Sequence, residues 1–164
     1  MKTLILVRHA KAEERTDSLT QDAKRKLTPK GIMDAELLGK RLFSMQIKPD
    51  MIISSYAQRA KQTAQIIAEK IHFENRKIKM DKEVYVSSAA SLMKIVGRAN
   101  DEIQSLMLVG HNPSFNELLL NLCKTNIENI PKGGMAGIRL PIANWKKISA
   151  QCGTLLFFDS PKNK

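Results

Sequence analysis

Short apolar runs alternate with helix-like segments along this chain, and this alternation restricts its fold more than any other feature. Apolar runs at 3–7, 49–55 and 105–111 predict buried strands. Apolar residues at three- and four-residue spacing predict helices over 29–45 and 58–70. Strands that alternate with helices form mainly parallel sheets, because each helix carries the chain back to the start of the next strand. We therefore expect an α/β fold, with helices on both faces of a mostly parallel sheet.

The second half of the chain continues the alternation of strands and helices. Its apolar spacing predicts a short strand or extended segment at 83–87 and helices over 88–99 and 113–122. Two late strands, 135–140 and 153–159, are expected to pair like a hairpin.

The segment from Lys11 to Lys26 is polar and long for a connection, so we expect it to hold a lid or a binding loop. Thr28 and Pro29 follow it in the motif "LTPKG". They are typical of the N-cap and the first residue of a helix, respectively.

Length and composition are those of one globular domain, which we place at 1–160, with a short polar tail at 161–164. The apolar run at the N-terminus stops at Arg8 without a cleavage site, and no window has the roughly 18 apolar residues of a membrane span. We therefore expect a cytoplasmic protein. Cys123 and Cys152 predict reduced, buried thiols instead of a disulfide framework.

The chain is strongly basic, with 27 Lys and Arg residues against 16 Asp and Glu and a formal net charge of +11. Such a charge attracts anions and raises their encounter rate. Nucleic-acid binding usually shows a clustered basic stripe or stacking aromatic residues, whereas here the basic residues are scattered and only 5% of residues are aromatic. The composition favours a phosphorylated substrate over nucleic acid, and an ordinary solvated basic surface stays open.

Two of the predicted strands end alike. "LILVRHA" and "LMLVGHN" each place a histidine, His9 or His111, just beyond an apolar strand. A third segment, "ISSYAQRAKQTA", places Arg59 in the first turn of a helix. Open α/β sheets bind ligands at the carboxyl ends of their strands. We therefore expect Arg8, His9, Arg59 and His111 to converge on one crevice.

These four side chains suit a phosphoryl group. Arginine pairs with phosphate oxygens through two parallel hydrogen bonds and keeps its charge. A histidine in line with the phosphorus can accept the phosphoryl group transiently, and a second, protonated imidazole can stabilise the charge on its oxygens. A metal site is not expected, because the third histidine, His72, has no metal-ligand spacing to the others. Neither cysteine is followed by the arginine that cysteine-based phosphatases require.

In their order along the chain, "LVRHA", "SSYAQRAKQTA" and "VGHNP" resemble the motifs of the histidine phosphatase superfamily. "LTPKG", "IPKGGMAGIRL" and the short chain resemble its SixA-type phosphohistidine phosphatase branch. The resemblance implies a three-layer α/β/α sandwich of the phosphoglycerate mutase-like kind, with no metal or organic cofactor. It also implies that His9 accepts the phosphoryl group and that Arg8, Arg59 and His111 complete the phosphate pocket.

The chain departs from the larger members of that superfamily in one respect. Those members carry a glutamate general acid between the mid-chain arginine and the second histidine, in a Glu-x-x-x-Gly-like context. The corresponding "DKEVYVSSAAS" has no such pattern, which leaves Glu83 as the candidate acid. Expelling an alkoxide needs a proton donor, whereas imidazole leaves phosphohistidine more easily. The missing acid therefore favours a phosphoramidate substrate.

Lys11, Ser54 and Asn112 are further candidates for binding phosphate or substrate. Each has a simpler explanation that stays open: a solvated face for Lys11 and Arg15, a turn for Ser54 and its neighbour Ser55, and a helix cap for Asn112.

We expect a phosphatase that hydrolyses phosphohistidine on a protein through a covalent intermediate on His9. Its partner would be a phosphorylated protein such as a histidine-containing phosphotransfer domain, with no nucleic acid and no membrane, and we expect a monomer. Two alternatives stay open: a small-molecule phosphomonoesterase of low specificity, and a non-catalytic phosphate-binding module of the same fold.

Overall fold

The computed structural model of the protein describes residues 1–15 and 18–163. The strands are β1 (Lys2–Arg8), β2 (Met51–Ser55), β3 (Lys79–Asp81), β4 (Ser105–Gly110), β5 (Met135–Leu140) and β6 (Thr154–Asp159). The α-helices are α1 (Leu19–Lys24), α2 (Pro29–Ser44), α3 (Gln58–Lys70), α4 (Ala89–Gly97) and α5 (Ser114–Leu122). Single turns of 3-10 helix lie at Asn75–Lys77, Lys82–Val84 and Trp145–Lys147.

All six strands form one sheet in the order β3-β2-β4-β1-β5-β6. β3, β2, β4 and β1 run parallel, and β5 is antiparallel to both of its neighbours. The predicted mostly parallel sheet and the predicted pairing of the two late strands are both confirmed. In the register of β1 with β4, Arg8 lies opposite Gly110. The residues that follow, His9 and His111, therefore leave the sheet at the same edge.

Helices cover both faces of the sheet, as predicted. Along β1, Leu4 and Leu6 join the buried cluster formed with α4 and α5. The alternate residues Ile5 and Val7 join the cluster formed with α2 and α3. Successive side chains of a strand point to opposite faces, so a central strand buried on both sides must be apolar throughout. This requirement explains the continuous run "LILV".

The helices on the α2–α3 face begin where the sequence predicts. The Thr28 side chain caps α2 by accepting a hydrogen bond from the Gly31 N–H, with Pro29 in the first helical position. α3 spans Gln58–Lys70, the predicted range. Because α3 starts two residues after β2 ends, its first turn lies at the same sheet edge as His9 and His111.

The extended segment predicted at 83–87 is wrong. β3 ends at Asp81, and a 3-10 turn over Lys82–Val84 follows it. The turn forms because the Asp81 carboxylate accepts a hydrogen bond from the Glu83 N–H, a local side-chain contact that competes with the strand.

Within residues 1–15 and 18–163, no helix has the length and apolar content needed to cross a membrane.

The residues at the end of β6 are bound to α2. The Arg41 guanidinium donates hydrogen bonds to the Asp159 carboxylate and the Ser160 carbonyl. These contacts attach the segment after β6 to α2. The division into a domain at 1–160 and a tail at 161–164 stays a prediction.

Candidate active site

Arg8, His9, Arg59 and His111 line one pocket at the carboxyl edge of the sheet, so the structure brings the four predicted side chains together. The ring centroids of His9 and His111 are 5.2 Å apart, and the rings are tilted by 54°. Three segments that are distant in sequence thus meet at one point, because parallel strands end side by side.

The imidazole of His9 has a defined tautomer. Its Nδ1 lies 2.8 Å from the carbonyl oxygen of Ala10. A carbonyl only accepts hydrogen bonds, so Nδ1 carries the hydrogen and the neutral ring keeps its lone pair on Nε2. Burial lowers the pKa of His9 to about 3. The hydrogen bond to Ala10 acts in the opposite direction, whereas the positive charges of Arg59 and Arg8 lower the pKa further. The ring is therefore neutral at pH 7 and holds a nucleophilic nitrogen.

The second imidazole, His111, is held by a serine. Its Nε2 lies 2.8 Å from the Ser55 hydroxyl, whose oxygen also accepts a hydrogen bond from the Ala57 N–H. The Ser55 hydrogen can therefore point to Nε2, which leaves the hydrogen of His111 on Nδ1. Burial lowers the pKa of His111 to about 3, and the repulsion that a protonated His111 would meet from a protonated His9 and from Arg59 lowers it in the same direction.

Some buried polar atoms of the described residues have no hydrogen-bond partner: Arg8 Nε, Arg59 Nε and His111 Nδ1. All three belong to side chains that line the pocket. Buried polar groups are nearly always paired in native proteins, so such a cluster indicates a site that binds a ligand. Guanidinium N–H groups beside an imidazole N–H form a set of donors that suits an oxyanion.

Asp22, on α1, organises the wall of the pocket. Its carboxylate accepts hydrogen bonds from Arg25, Arg59 and the Tyr85 hydroxyl. Its main-chain carbonyl accepts another from Arg59. Burial raises the pKa of Asp22, but the Tyr85 hydrogen bond and the Arg59 and Arg25 charges outweigh it and leave the pKa at about 2. Asp22 is therefore an ionised carboxylate that orients Arg59.

Main-chain hydrogen bonds fix the segment that carries Arg8 and His9. The Gly133 N–H donates to the carbonyl oxygens of both residues, and Gly133 adopts a φ of +72°, which glycine accepts without strain. On the other side, the Ala10 N–H donates to the Thr63 hydroxyl, which in turn donates to the Arg59 carbonyl. This relay connects the loop after β1 to α3.

Comparison with known proteins identifies the family. The profile of the histidine phosphatase superfamily (branch 1) matches residues 4–86. The chain belongs to the histidine phosphatase superfamily. An uncharacterized protein of Mycobacterium tuberculosis is 25% identical to it over 166 residues, with 95% of this chain and 100% of the relative covered.

Solved structures agree with this assignment. A provisionally assigned phosphohistidine phosphatase SixA from Agrobacterium tumefaciens is 25% identical, with 98% of each chain covered and a TM-score of 0.81. The protein histidine phosphatase SixA complexed with tungstate is 19% identical, with 97% of each chain covered and a TM-score of 0.77, and it shares the fold. The resemblance to the SixA-type branch and the phosphoglycerate mutase-like fold are confirmed, and the chain is a phosphatase of this superfamily.

The secondary candidate residues of this histidine phosphatase separate into two groups. Lys11 and Asn112 line the pocket. Asn112 is occupied by its neighbours, because its amide nitrogen donates to the Asn129 and Ile130 oxygens and its amide oxygen caps α5 at the Asn116 N–H. Lys11 is exposed at the mouth.

Ser54 and Glu83 lie outside the pocket lining. Ser54 is fully buried and donates its hydroxyl hydrogen to the Ser55 carbonyl. Glu83 is exposed and forms an ion pair with Arg98 at 3.2 Å. The predicted roles of these two residues therefore lack geometric support, since neither side chain is placed to reach a phosphoryl group beside His9.

Four residues in or beside the pocket were not predicted individually from the sequence: Asp22, Arg25, Tyr85 and Lys132. Ser55 was predicted only together with Ser54, as a turn residue or a pocket-lining donor. It is the last residue of β2, and two residues separate it from the helix that carries Arg59. No sequence pattern predicts the contact between Asp22 and Arg59, because this contact forms only when the segment after β1 folds back over α3.

Neither a metal centre nor reactive cysteines are evident in the described part of the chain. Within residues 1–15 and 18–163, no group of three or more His, Cys, Asp or Glu side chains could hold a metal ion. Cys123 and Cys152 are free, the first buried and the second half-buried. Burial raises the pKa of Cys123 to about 11, which keeps its thiol protonated.

Proposed function

We propose that this phosphatase hydrolyses phosphohistidine on proteins through a covalent phosphoryl group on Nε2 of His9. The observation that carries the proposal is the state of His9. Its ring is neutral, its Nδ1 hydrogen is held by the Ala10 carbonyl, and its Nε2 is free to attack in a pocket of cationic donors.

In the first step, the Nε2 lone pair forms a bond to phosphorus, and the bond from phosphorus to the substrate nitrogen breaks. That nitrogen takes the electron pair. A substrate imidazole that carries a hydrogen on its other nitrogen leaves as neutral imidazole. Arg8, Arg59 and His111 stabilise the charge on the phosphoryl oxygens, which is the main source of catalysis in phosphoryl transfer.

In the second step, a water oxygen bonds to phosphorus and the bond between phosphorus and Nε2 breaks. The electron pair returns to His9, and inorganic phosphate leaves together with the proton lost by the water. The Ala10 carbonyl holds the Nδ1 hydrogen throughout, so the ring returns to its starting tautomer.

Two of the three carboxyl groups that line the pocket, those of Asp22 and Glu13, support a phosphoramidate substrate. Asp22 is ionised, with a pKa of about 2, and its oxygens are occupied by four donor atoms, so it cannot protonate an alkoxide. Glu13 accepts a hydrogen bond from the Lys26 N–H. Phosphohistidine needs no such acid, and a phosphorylated protein such as a histidine-containing phosphotransfer domain would present one. The SixA neighbours described above favour the same substrate class.

One observation favours a second candidate function, that of a small-molecule phosphomonoesterase. Glu14 is exposed at the pocket mouth, and its carboxyl group could protonate an ester oxygen. If so, alkyl phosphates would be hydrolysed at rates comparable to phosphohistidine, and Glu14→Gln would abolish only the hydrolysis of the esters.

The decisive experiment follows the phosphoryl group. Radiolabelled phosphohistidine protein is mixed with excess enzyme, and the enzyme is denatured in base. We expect a base-stable, acid-labile adduct on His9, and a loss of about 1,000-fold or more in rate for His9→Ala. His72→Ala is the matched control, because His72 packs against Phe43 outside this pocket. A His9→Ala enzyme that turns over at the parent rate would contradict the mechanism.

A further inference from the structure

The mouth of the pocket carries more positive charge than one phosphoryl group requires. Six Lys or Arg residues line the pocket, against three Asp or Glu residues. Arg8 is part of the inner donor set, and Arg25 and Arg59 are already bound by Asp22. The remaining three are Lys11, Arg15 and Lys132, which we call the mouth cations.

The mouth cations are exposed, and in the part of the chain that the structure describes none of them forms an ion pair with a carboxylate. Lys11 and Arg15 lie in the segment after β1, and Lys132 lies in the turn before β5. The Gly133 N–H joins this turn to the His9 carbonyl. Two separate loops near the nucleophile thus present these three cations around its opening, where they outnumber the exposed carboxylates of Glu13 and Glu14.

We propose that the substrate protein presents its phosphohistidine among acidic residues, and that the mouth cations bind those residues. This inference rests on the proposed function and names the chemistry of the partner surface. Exposed charges at the rim of an interface mainly raise the association rate and set its salt dependence. The mouth cations therefore select the partner and bring it to His9, while Arg8, Arg59 and His111 act on the phosphoryl group.

Nucleic acid fits this surface less well than an acidic protein. Proteins that bind single strands combine a basic groove with aromatic side chains on which bases stack. Among the described residues, those that line this pocket include no Phe, Tyr or Trp. The neighbouring Tyr85 is already engaged, because its hydroxyl donates to Asp22 and its ring packs against His111. The mouth offers charge without a stacking platform.

The test uses three peptides, each with one histidine phosphorylated chemically by phosphoramidate and flanked by Asp and Glu, by Gln, or by Lys. Phosphoryl-imidazole serves as the substrate without flanking residues. The variant Lys11→Glu/Arg15→Glu/Lys132→Glu is compared with Lys40→Glu/Lys124→Glu/Lys147→Glu. The second triple variant has the same net charge, but its changes are at exposed residues outside the pocket lining.

We expect the parent enzyme to prefer the acidic peptide over the Gln peptide by about tenfold in kcat/KM at low salt, and to lose this preference at high salt. The mouth variant should lose or invert the preference among the peptides, with each peptide rate expressed relative to the variant's own rate on phosphoryl-imidazole. The distant variant should keep the preference.

The outcomes separate this inference from the function on which it rests. If the parent enzyme hydrolyses phosphoryl-imidazole but shows no preference among the peptides, or if both triple variants lose the preference equally, the mouth cations do not select an acidic partner. If the parent enzyme instead hydrolysed neither phosphoryl-imidazole nor any of the peptides, this result would contradict the proposed function itself. Binding of labelled mixed-sequence RNA and of the acidic phosphopeptide is also compared, with the His9→Ala variant at physiological salt. If this variant bound the RNA more tightly than the peptide, the inference would be overturned.

Discussion

The Asp22 carboxylate accepts a hydrogen bond from Arg59 at 3.1 Å, and the Asp22 main-chain carbonyl accepts another from the same guanidinium at 2.8 Å. Both terminal nitrogens of Arg59 are thus held by one residue of α1, and Arg59 Nε is left without a partner. The orientation of the Arg59 guanidinium, and of its remaining N–H donors, therefore depends on the packing of α1 against α3.

We expect Asp22→Asn to lower kcat by about 10- to 100-fold, because a misplaced guanidinium no longer stabilises the transition state. Inhibition by inorganic phosphate, the product of the proposed reaction, should be as strong as in the parent enzyme or stronger, since the variant removes a negative charge from the pocket wall. Steady-state kinetics with inorganic phosphate as inhibitor measure both effects.

Asp34→Asn is the matched control, because Asp34 forms an ion pair with Lys30 on α2 and does not line the pocket. It should leave kcat unchanged. If Asp22→Asn retained the parent kcat, Asp22 would not be a positioning residue.

The two imidazoles make the ligand-free protein sensitive to acid. The pKa values of His9 and His111 are about 3 in the folded protein, below the ordinary value of 6.5. Between these values the unfolded chain binds more protons than the folded one, so the free energy of unfolding falls as the pH decreases. We expect a loss of about 2 kcal/mol between pH 6.5 and pH 5.5 from the two rings together.

Urea unfolding at several pH values measures this loss. His9→Gln/His111→Gln should show a weaker pH dependence over the same range. Inorganic phosphate, the product of the proposed reaction, should also weaken this pH dependence, because a bound anion beside the rings favours their protonated forms. A parent protein whose stability does not change between pH 6.5 and pH 5.5 would show that the rings are not buried in the neutral form.

Much of the site could be predicted because it is encoded at strand ends. The run "LILVRHA" shows both a strand buried on two faces and the residues that follow it, and "LMLVGHN" repeats the arrangement. Once these strands are placed side by side, topology alone brings Arg8, His9 and His111 to one edge. No detail of side-chain packing is needed for that conclusion.

The rest of the site depends on tertiary contacts that have no local pattern. Asp22 lies in a polar segment that looks like an ordinary loop, and only the folded chain places it against Arg59 and Tyr85. Whether Ser54 or Ser55 contacts His111 also depends on the folded chain and cannot be predicted from the sequence. Adjacent strand residues point to opposite faces, so a small uncertainty at the end of β2 changes which hydroxyl reaches His111.

These two serines provide a matched pair of variants. Ser55→Ala removes the partner of both His111 Nε2 and the Ala57 N–H, so we expect a fall in kcat of about tenfold or more and a loss of about 1–3 kcal/mol in stability. Ser54→Ala removes a hydrogen bond to the Ser55 carbonyl and should cost about 1 kcal/mol with little change in kcat. Kinetics and urea unfolding measure the two effects. Equal kcat values for the two variants would show that Ser55 does not orient His111.

The glycine of the motif "LTPKG", Gly31, is in close contact with the loop after His9. A Cβ atom on Gly31 would lie 2.0 Å from the Lys11 carbonyl oxygen, and the Thr28 N–H donates to that same oxygen. Gly31→Ala must therefore displace the main chain at Lys11, two residues from the nucleophile. We expect a loss of about 1–3 kcal/mol in stability and a lower kcat.

The control for this variant is Gly97→Ala, at the end of α4. A Cβ there would meet its nearest atom, the Trp145 carbonyl oxygen, at 3.8 Å, which is an ordinary contact. Gly97→Ala should retain the parent kcat and change stability by less than about 1 kcal/mol, in the stabilising direction if at all. Urea unfolding and steady-state kinetics compare the two variants. If Gly31→Ala matched the parent in both measurements, the start of α2 would not hold the catalytic loop in place.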